Sequence, residues 1–149
     1  MQRYLGLISG PLLDRIDLQV EILPVPVDEL SSMREGEPSS AIRQRVVMAR
    51  EIQAKRYAGH EGIHCNAQMT SRLITEYARL DDAGMKMMRD AMIRLNMSAR
   101  AYDRILKVAR TIADLDNATD IQAHHIVEAI GYRNLDRSSW GTNFNNIIS

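Results

Sequence analysis

The sequence holds one cysteine in 149 residues, so no disulfide framework exists and a reducing compartment fits. No apolar run approaches membrane-span length, and the N-terminus lacks the apolar h-region of a signal peptide. These absences predict a cytoplasmic setting with no membrane partner. Charge of one sign is also missing: 19 basic residues balance 19 acidic ones. Any contact with nucleic acid must then use a local patch rather than the overall field. There is no G-x4-G-K-[ST] loop to cradle phosphates and no serine in a nucleophile elbow. Internal repeats and low-complexity blocks are absent too. Taken alone, the chain shows no catalytic machinery.

What is there is an ordinary soluble composition, 45% apolar and 26% charged, in a chain long enough for one domain and a real core. Its most regular stretch runs from Ser98 to Leu115. Tyr102, Ile105, Leu106, Ala109, Ile112 and Ala113 fall at the i, i+3, i+4, i+7 spacing of one buried helix face. Ser98 is placed to accept from the first-turn N–H groups. The opposite face carries Arg100, Arg104, Lys107 and Arg110, with Asp103 and Asp114 between them. Arg100 is the odd member. A cation in the first turn opposes the helix dipole by about 0.3–1 kcal/mol. The same end is a natural anion site, because free N–H groups and a guanidinium can point at one phosphate. On the helix alone, a solvated arginine and a phosphate contact both stand.

Elsewhere, residues 12–16 suit a helical turn, and residues 17–22 alternate polar and apolar with period two, the mark of a strand. No second strand of that quality follows to pair with it. The stretch therefore reads as a piece cut from a larger sheet. Pro24 and Pro26 mark a connector, with a short turn over 27–33 capped by Asp28. From Ser39 the chain reads as about five helices. Ser39 or Ser40 caps the first, with Ile42, Val46, Ala49 and Ile52 near one face. A short helix from Thr70 or Ser71 buries Leu73, Ile74 and Tyr77. Another from Asp81-Asp82 sets Met85, Met88, Met92 and Leu95 in one stripe and stops near Asn96. After the Ser98 helix ends at Asp116-Asn117, Thr119 caps a last helix that buries Ile121, Ile126, Val127 and Ile130. The tail from Asn134 is polar.

His60, His64 and Cys65 lie close enough in sequence to suggest a metal, but Gly59 and Gly62 argue for a loop that would not hold two histidines in helical register. No second cysteine supports the site, and no metal is expected. The consecutive His124 and His125 should not both face one ion; one is expected at the core edge and the other at the surface.

Two long segments carry a specific resemblance: R-Y-L-G-L-I-S-G-P-L-L-D-R-I-D-L-Q-V-E-I at 3–22, and L-N-M-S-A-R-A-Y-D-R-I-L-K-V-A-R-T-I-A-D-L at 95–115. With C-N-A-Q-M at 65–69 and E-A-I-G-Y-R at 128–133, they closely resemble the C-terminal part of the ComM/YifB family of magnesium-chelatase-like AAA+ ATPases. The resemblance runs to about Arg137 and implies a mainly α fold. It implies a remnant of the ATPase core at 1–25, a linker at 26–38, a helical lid domain at 39–137 and a flexible tail at 138–149. By the same resemblance, Arg15 of L-L-D-R-I-D looks like an arginine finger acting on a neighbouring subunit's ATP. Arg100 of M-S-A-R-A-Y looks like the sensor-2 arginine, serving its own subunit's nucleotide, with Arg104 and Lys107 as an accessory basic face.

The resemblance implies ATP and Mg2+ as cofactors of an intact parent, and none for this chain alone, which lacks the family's Walker segments and Cys-rich insertion. The partners implied are the ATPase core, neighbouring subunits of a ring (a hexamer in this family) and DNA. The parent would be a branch-migration helicase acting in recombination of incoming DNA. The alternatives are a magnesium-chelatase subunit that drives metal insertion into a porphyrin, and a non-catalytic helical module that binds a protein partner.

Overall fold

Three helices here begin where a short polar side chain takes up an orphan N–H. Thr70 accepts from Leu73, Asp81 from Gly84 and Ser98 from Ala101. The computed structural model describes residues 12, 15–20, 22 and 36–133. Five helices follow one another within 36–133: α1 Ser39–Arg56, α2 Ser71–Tyr77, α3 Asp82–Arg94, α4 Ala99–Leu115 and α5 Ala123–Gly131. A 3-10 turn at Asn66–Gln68 joins α1 to α2. The chain is mainly α. Asn96 and Asn117 stop α3 and α4 with φ of 46° and 54°, in the left-handed region that asparagine tolerates.

Two expected caps move. Ser39 and Ser40 are already helical, and Pro38 holds the cap position of α1 without a side-chain bond. Gln122, not Thr119, precedes α5. The strand expected over 17–22 is not formed among the described residues. Residues 17–20 are not in strand conformation, and the Gln19 N–H donates to Tyr132 O at 2.8 Å. Alternation is only half of a strand; the other half is a neighbouring backbone to bond with. The turn expected over 27–33 and the Asn-rich tail lie outside the described residues, as do most of 1–25 and residues 26–35 of the connector.

α4 is the axis. It packs on α5, α1, the 3-10 turn and α2, while α3 reaches the core through α5. Its expected stripe is buried at Ile105, Leu106, Ala109, Ile112 and Ala113, with Tyr102 half-buried. Ile105 and Ile126 are fully buried, each worth about 1.5–3 kcal/mol against exposure. Gly84 lets α3 meet α5: a Cβ there would lie 2.8 Å from Ile126 Cδ1.

Three apolar stripes were expected wider than they are. In α1 only Ala49 and Gln53 are buried, while Ile42 and Val46 are exposed. The bundle covers the C-terminal half of this helix, and among the described residues nothing covers Ile42 or Val46 in its first half. In α3 the inward residues are Gly84, Met88 and Ala91, and Met85 is exposed. Val127 of α5 faces outward as well.

Candidate functional site

Arg100 sits in the first turn of α4, two residues after the Ser98 cap, exposed and with no ion-pair partner among the described residues. The helix has 17 residues, so its N-terminal dipole is developed, and the side chain stands where an anion is favoured. One turn on, the same face carries Arg104, whose guanidinium pairs with Asp17. Another turn on, Lys107 Nζ donates to Ala67 O at 2.9 Å. The accessory basic residues are thus engaged within the chain, and Arg100 stands apart from them.

Asp17 is two residues from Arg15, which is exposed and also without an ion-pair partner among the described residues. The same short segment is held from a second side. Arg133, 1% exposed, donates from a terminal nitrogen to Ile16 O at 2.7 Å, beside the Gln19 to Tyr132 backbone bond. Arg15 therefore lies on a segment seated against α4 and the end of α5.

Below Arg104 the polar face of α4 becomes a buried seam. Arg110 and Asp114, expected on the outer face, are 3% and 1% exposed. Asp114 takes both terminal nitrogens of Arg56, at 2.5 and 2.7 Å, Arg110 Nε at 3.1 Å and Asn66 Nδ2 at 2.8 Å. Arg110 also donates to Thr119 O and Ala118 O, each at 2.7 Å. Asn66 completes the seam: its Oδ1 accepts from Arg56 and from the Tyr57 hydroxyl, and its Nδ2 donates also to Thr111 Oγ1. Burial pushes the Arg110 guanidinium below its ordinary value, against the pull of Asp114 and with repulsion from Arg56. Burial acts on Arg56 in the same sense, but the hydrogen bond and charge of Asp114 carry it above its ordinary value. A cleft of about 460 Å³ opens beside this seam, with Arg56, Arg110, Glu76 and Tyr77 in its wall. The two arginines are already committed to Asp114 and to backbone carbonyls. The seam is structural.

Sequence reasoning missed this network. The available signal was the Arg110–Asp114 spacing of i, i+4 on the flank of the apolar stripe, with a lone Asn66 just after the Gly59–Gly62 loop.

The histidines divide. His60 Nε2 lies 3.1 Å from the Tyr77 hydroxyl, edge-on to Tyr57 and Tyr77, while His64 is exposed and the Cys65 thiol faces Gln68 Oε1. They do not gather. His124 and His125 do, contrary to expectation: both Nε2 atoms approach Asp116 Oδ2, at 3.4 and 3.1 Å. His125 is buried and His124 exposed, as expected. Their ligand atoms and that of Asp116 lie within 4.8 Å of one another. Yet His125 Nδ1 accepts the Gln122 N–H at 2.9 Å, which makes Nε2 the N–H donor to Asp116. A cation at Nε2 would need that lone pair, and Nδ1 would then be a second donor facing Gln122. The arrangement caps α5.

No helix among the described residues is long and apolar enough to cross a membrane. Comparison with known proteins now gives the site its context. The family model for the C-terminal domain of magnesium chelatase subunit ChlI matches residues 36–133, the span from the end of the loop before α1 to Arg133. YifB of Escherichia coli (strain K12) is 42% identical over 136 residues, 91% of this chain. The competence protein ComM of Haemophilus influenzae is 41% identical over 138 residues, 92% of this chain. In both cases the match spans only 26% of the relative's own length. On these matches, and on the helical domain they cover, the chain belongs to the magnesium chelatase ChlI C-terminal family, with the ComM/YifB proteins among its relatives.

Proposed function

We propose that the chain is the lid and nucleotide-sensing part of an AAA+ ATPase that works as a ring and acts on DNA. The observation that carries this reading is Arg100: an exposed guanidinium in the first turn of the central helix, with no ion-pair partner among the described residues. Charge spread over phosphoryl oxygens favours a planar, permanently charged donor at such a place. In this reading Arg100 binds the nucleotide of its own subunit from the lid. Arg15, on its seated segment, reaches the γ-phosphate of a neighbour's ATP. ATP with Mg2+ supplies the phosphoryl-transfer chemistry. The chain's contribution is two guanidinium groups and the surface that orients them, and a cytoplasmic setting goes with that cofactor. A hexameric ring and a branch-migration role in recombination extend the reading. The name of one relative, a competence protein, favours a DNA track over the porphyrin substrate suggested by the name of the family.

By itself the chain should hydrolyse no ATP and bind it weakly in calorimetry. In the complete ATPase that carries this segment, DNA should stimulate hydrolysis, and Arg100→Ala should impair turnover with its larger effect on nucleotide binding. Tight ATP binding by the chain alone, or indifference of the complete protein to Arg100→Ala, would overturn the assignment. Stimulation by a porphyrin substrate in place of DNA would favour chelatase chemistry.

A further inference from the structure

The contacts of residues 15–20 do more than seat the segment. Three independent links join them to the helical domain: the Arg104–Asp17 ion pair, the Arg133 bond to Ile16 O, and the Gln19 N–H to Tyr132 O. Two of these residues, Arg133 and Tyr132, close the last helix, and the third, Arg104, lies one turn from Arg100 on α4. The linked segment carries Arg15 two residues from Asp17.

The two kinds of link differ in character. Arg133 is buried and meets a backbone carbonyl, so it seats the segment regardless of its side chains. The Arg104–Asp17 pair is half in solvent, with side chains 29% and 48% exposed, and such pairs add little to stability. Its value lies in geometry. The single contact from an Arg104 terminal nitrogen to an Asp17 carboxylate oxygen restrains the backbone next to Asp17, and that backbone bears Arg15.

We propose that Arg104 is a positioning residue: through Asp17 it sets where Arg15 points and ties that direction to the helix that carries Arg100. This inference rests on the nucleotide-responsive reading given above. It adds a route between two nucleotide sites. Arg100 reports on the subunit's own nucleotide, and any shift of α4 that follows moves Asp17, hence the group offered to the neighbour. The coupling runs through a contiguous strut of one ion pair and one helical turn.

Charge reversal tests it at two levels. In the chain as it stands, Asp17→Arg and Arg104→Asp should each speed amide exchange at residues 18–20 several-fold, while exchange within α4 and α5 stays unchanged. The double reversal should restore protection. Unchanged exchange in the single variants would overturn the strut, whatever the function of the protein. In the complete ATPase, each single reversal should lower kcat about tenfold or more with KM for ATP little changed, and the double reversal should recover most of the loss. Full kcat in the single variants, where Arg15→Ala abolishes turnover, would overturn the positioning role. If Arg15→Ala itself leaves turnover intact, the reading beneath the proposal fails and the proposal falls with it, even though the exchange result would still establish the contact.

Discussion

At the scale of single residues, the sharpest contrast lies between the buried charges of the seam and the exposed arginines Arg100 and Arg15. Asp114 holds four hydrogen bonds in the buried seam, and Asn66 uses both donors and both lone pairs. Arg100 and Arg15 stand in solvent. That contrast makes the first expected outcome large. Asp114→Ala would leave Arg56 and Arg110 facing each other without their shared carboxylate, and breaking a buried ion pair costs about 3–5 kcal/mol. Urea unfolding monitored by circular dichroism should show the loss as a lower midpoint; a change under about 1 kcal/mol would mean water or another acid takes over. A second outcome concerns His125, whose tautomer is set by the Gln122 N–H. Adding zinc in modest excess should leave the melting temperature where it is. A rise abolished by His124→Ala would show that the cap gives way to a cation.

At the scale of elements, the sequence disclosed the period of each helix but not how far a neighbour extends along it. The α4 stripe was legible because the helix is covered along most of its length, so spacing and burial coincide. Its polar face was misread at Arg110 and Asp114 for a related reason: α1 and the 3-10 turn cover that face in its C-terminal half, and only Arg100 and Arg104 lie beyond them. The stripe of α1 was misread in the other direction, since nothing among the described residues covers Ile42 or Val46. Caps of the Ser, Thr and Asp type were legible because their chemistry is local. The His125 cap of α5 was not, because a histidine's role depends on where Asp116 and Gln122 arrive. A paired measurement follows. Ile105→Ala should destabilise the chain by about 2–5 kcal/mol through lost burial and the cavity left behind. Val46→Ala should shift stability by no more than about 0.5 kcal/mol, as for exposed positions generally. A large effect at Val46 would reveal a cover for α1 in solution.

At the scale of the whole molecule, Arg15 and Arg100 lie near the same Arg104–Asp17 ion pair while serving, in the proposed reading, different nucleotides. Arg15 would act on the neighbour's and Arg100 on its own subunit's. The division can be tested because it makes the two defects separable in space. In the complete ring, Arg15→Ala should abolish hydrolysis while leaving ATP binding largely intact, since a finger acts on the transition state and is worth roughly 10³–10⁵ in rate. Arg100→Ala should impair turnover with more effect on binding or lid closure. Neither ring alone contains a complete site. When the two proteins exchange subunits, an Arg15→Ala subunit keeps its own Arg100 and gains the intact Arg15 of an Arg100→Ala neighbour. Hydrolysis should return at those interfaces, and should rise and fall with the mixing ratio as the number of such interfaces does. A mixture that stays as inactive as its parents, with subunit exchange shown by native mass spectrometry, would mean that both arginines meet the same nucleotide or that all sites must fire together.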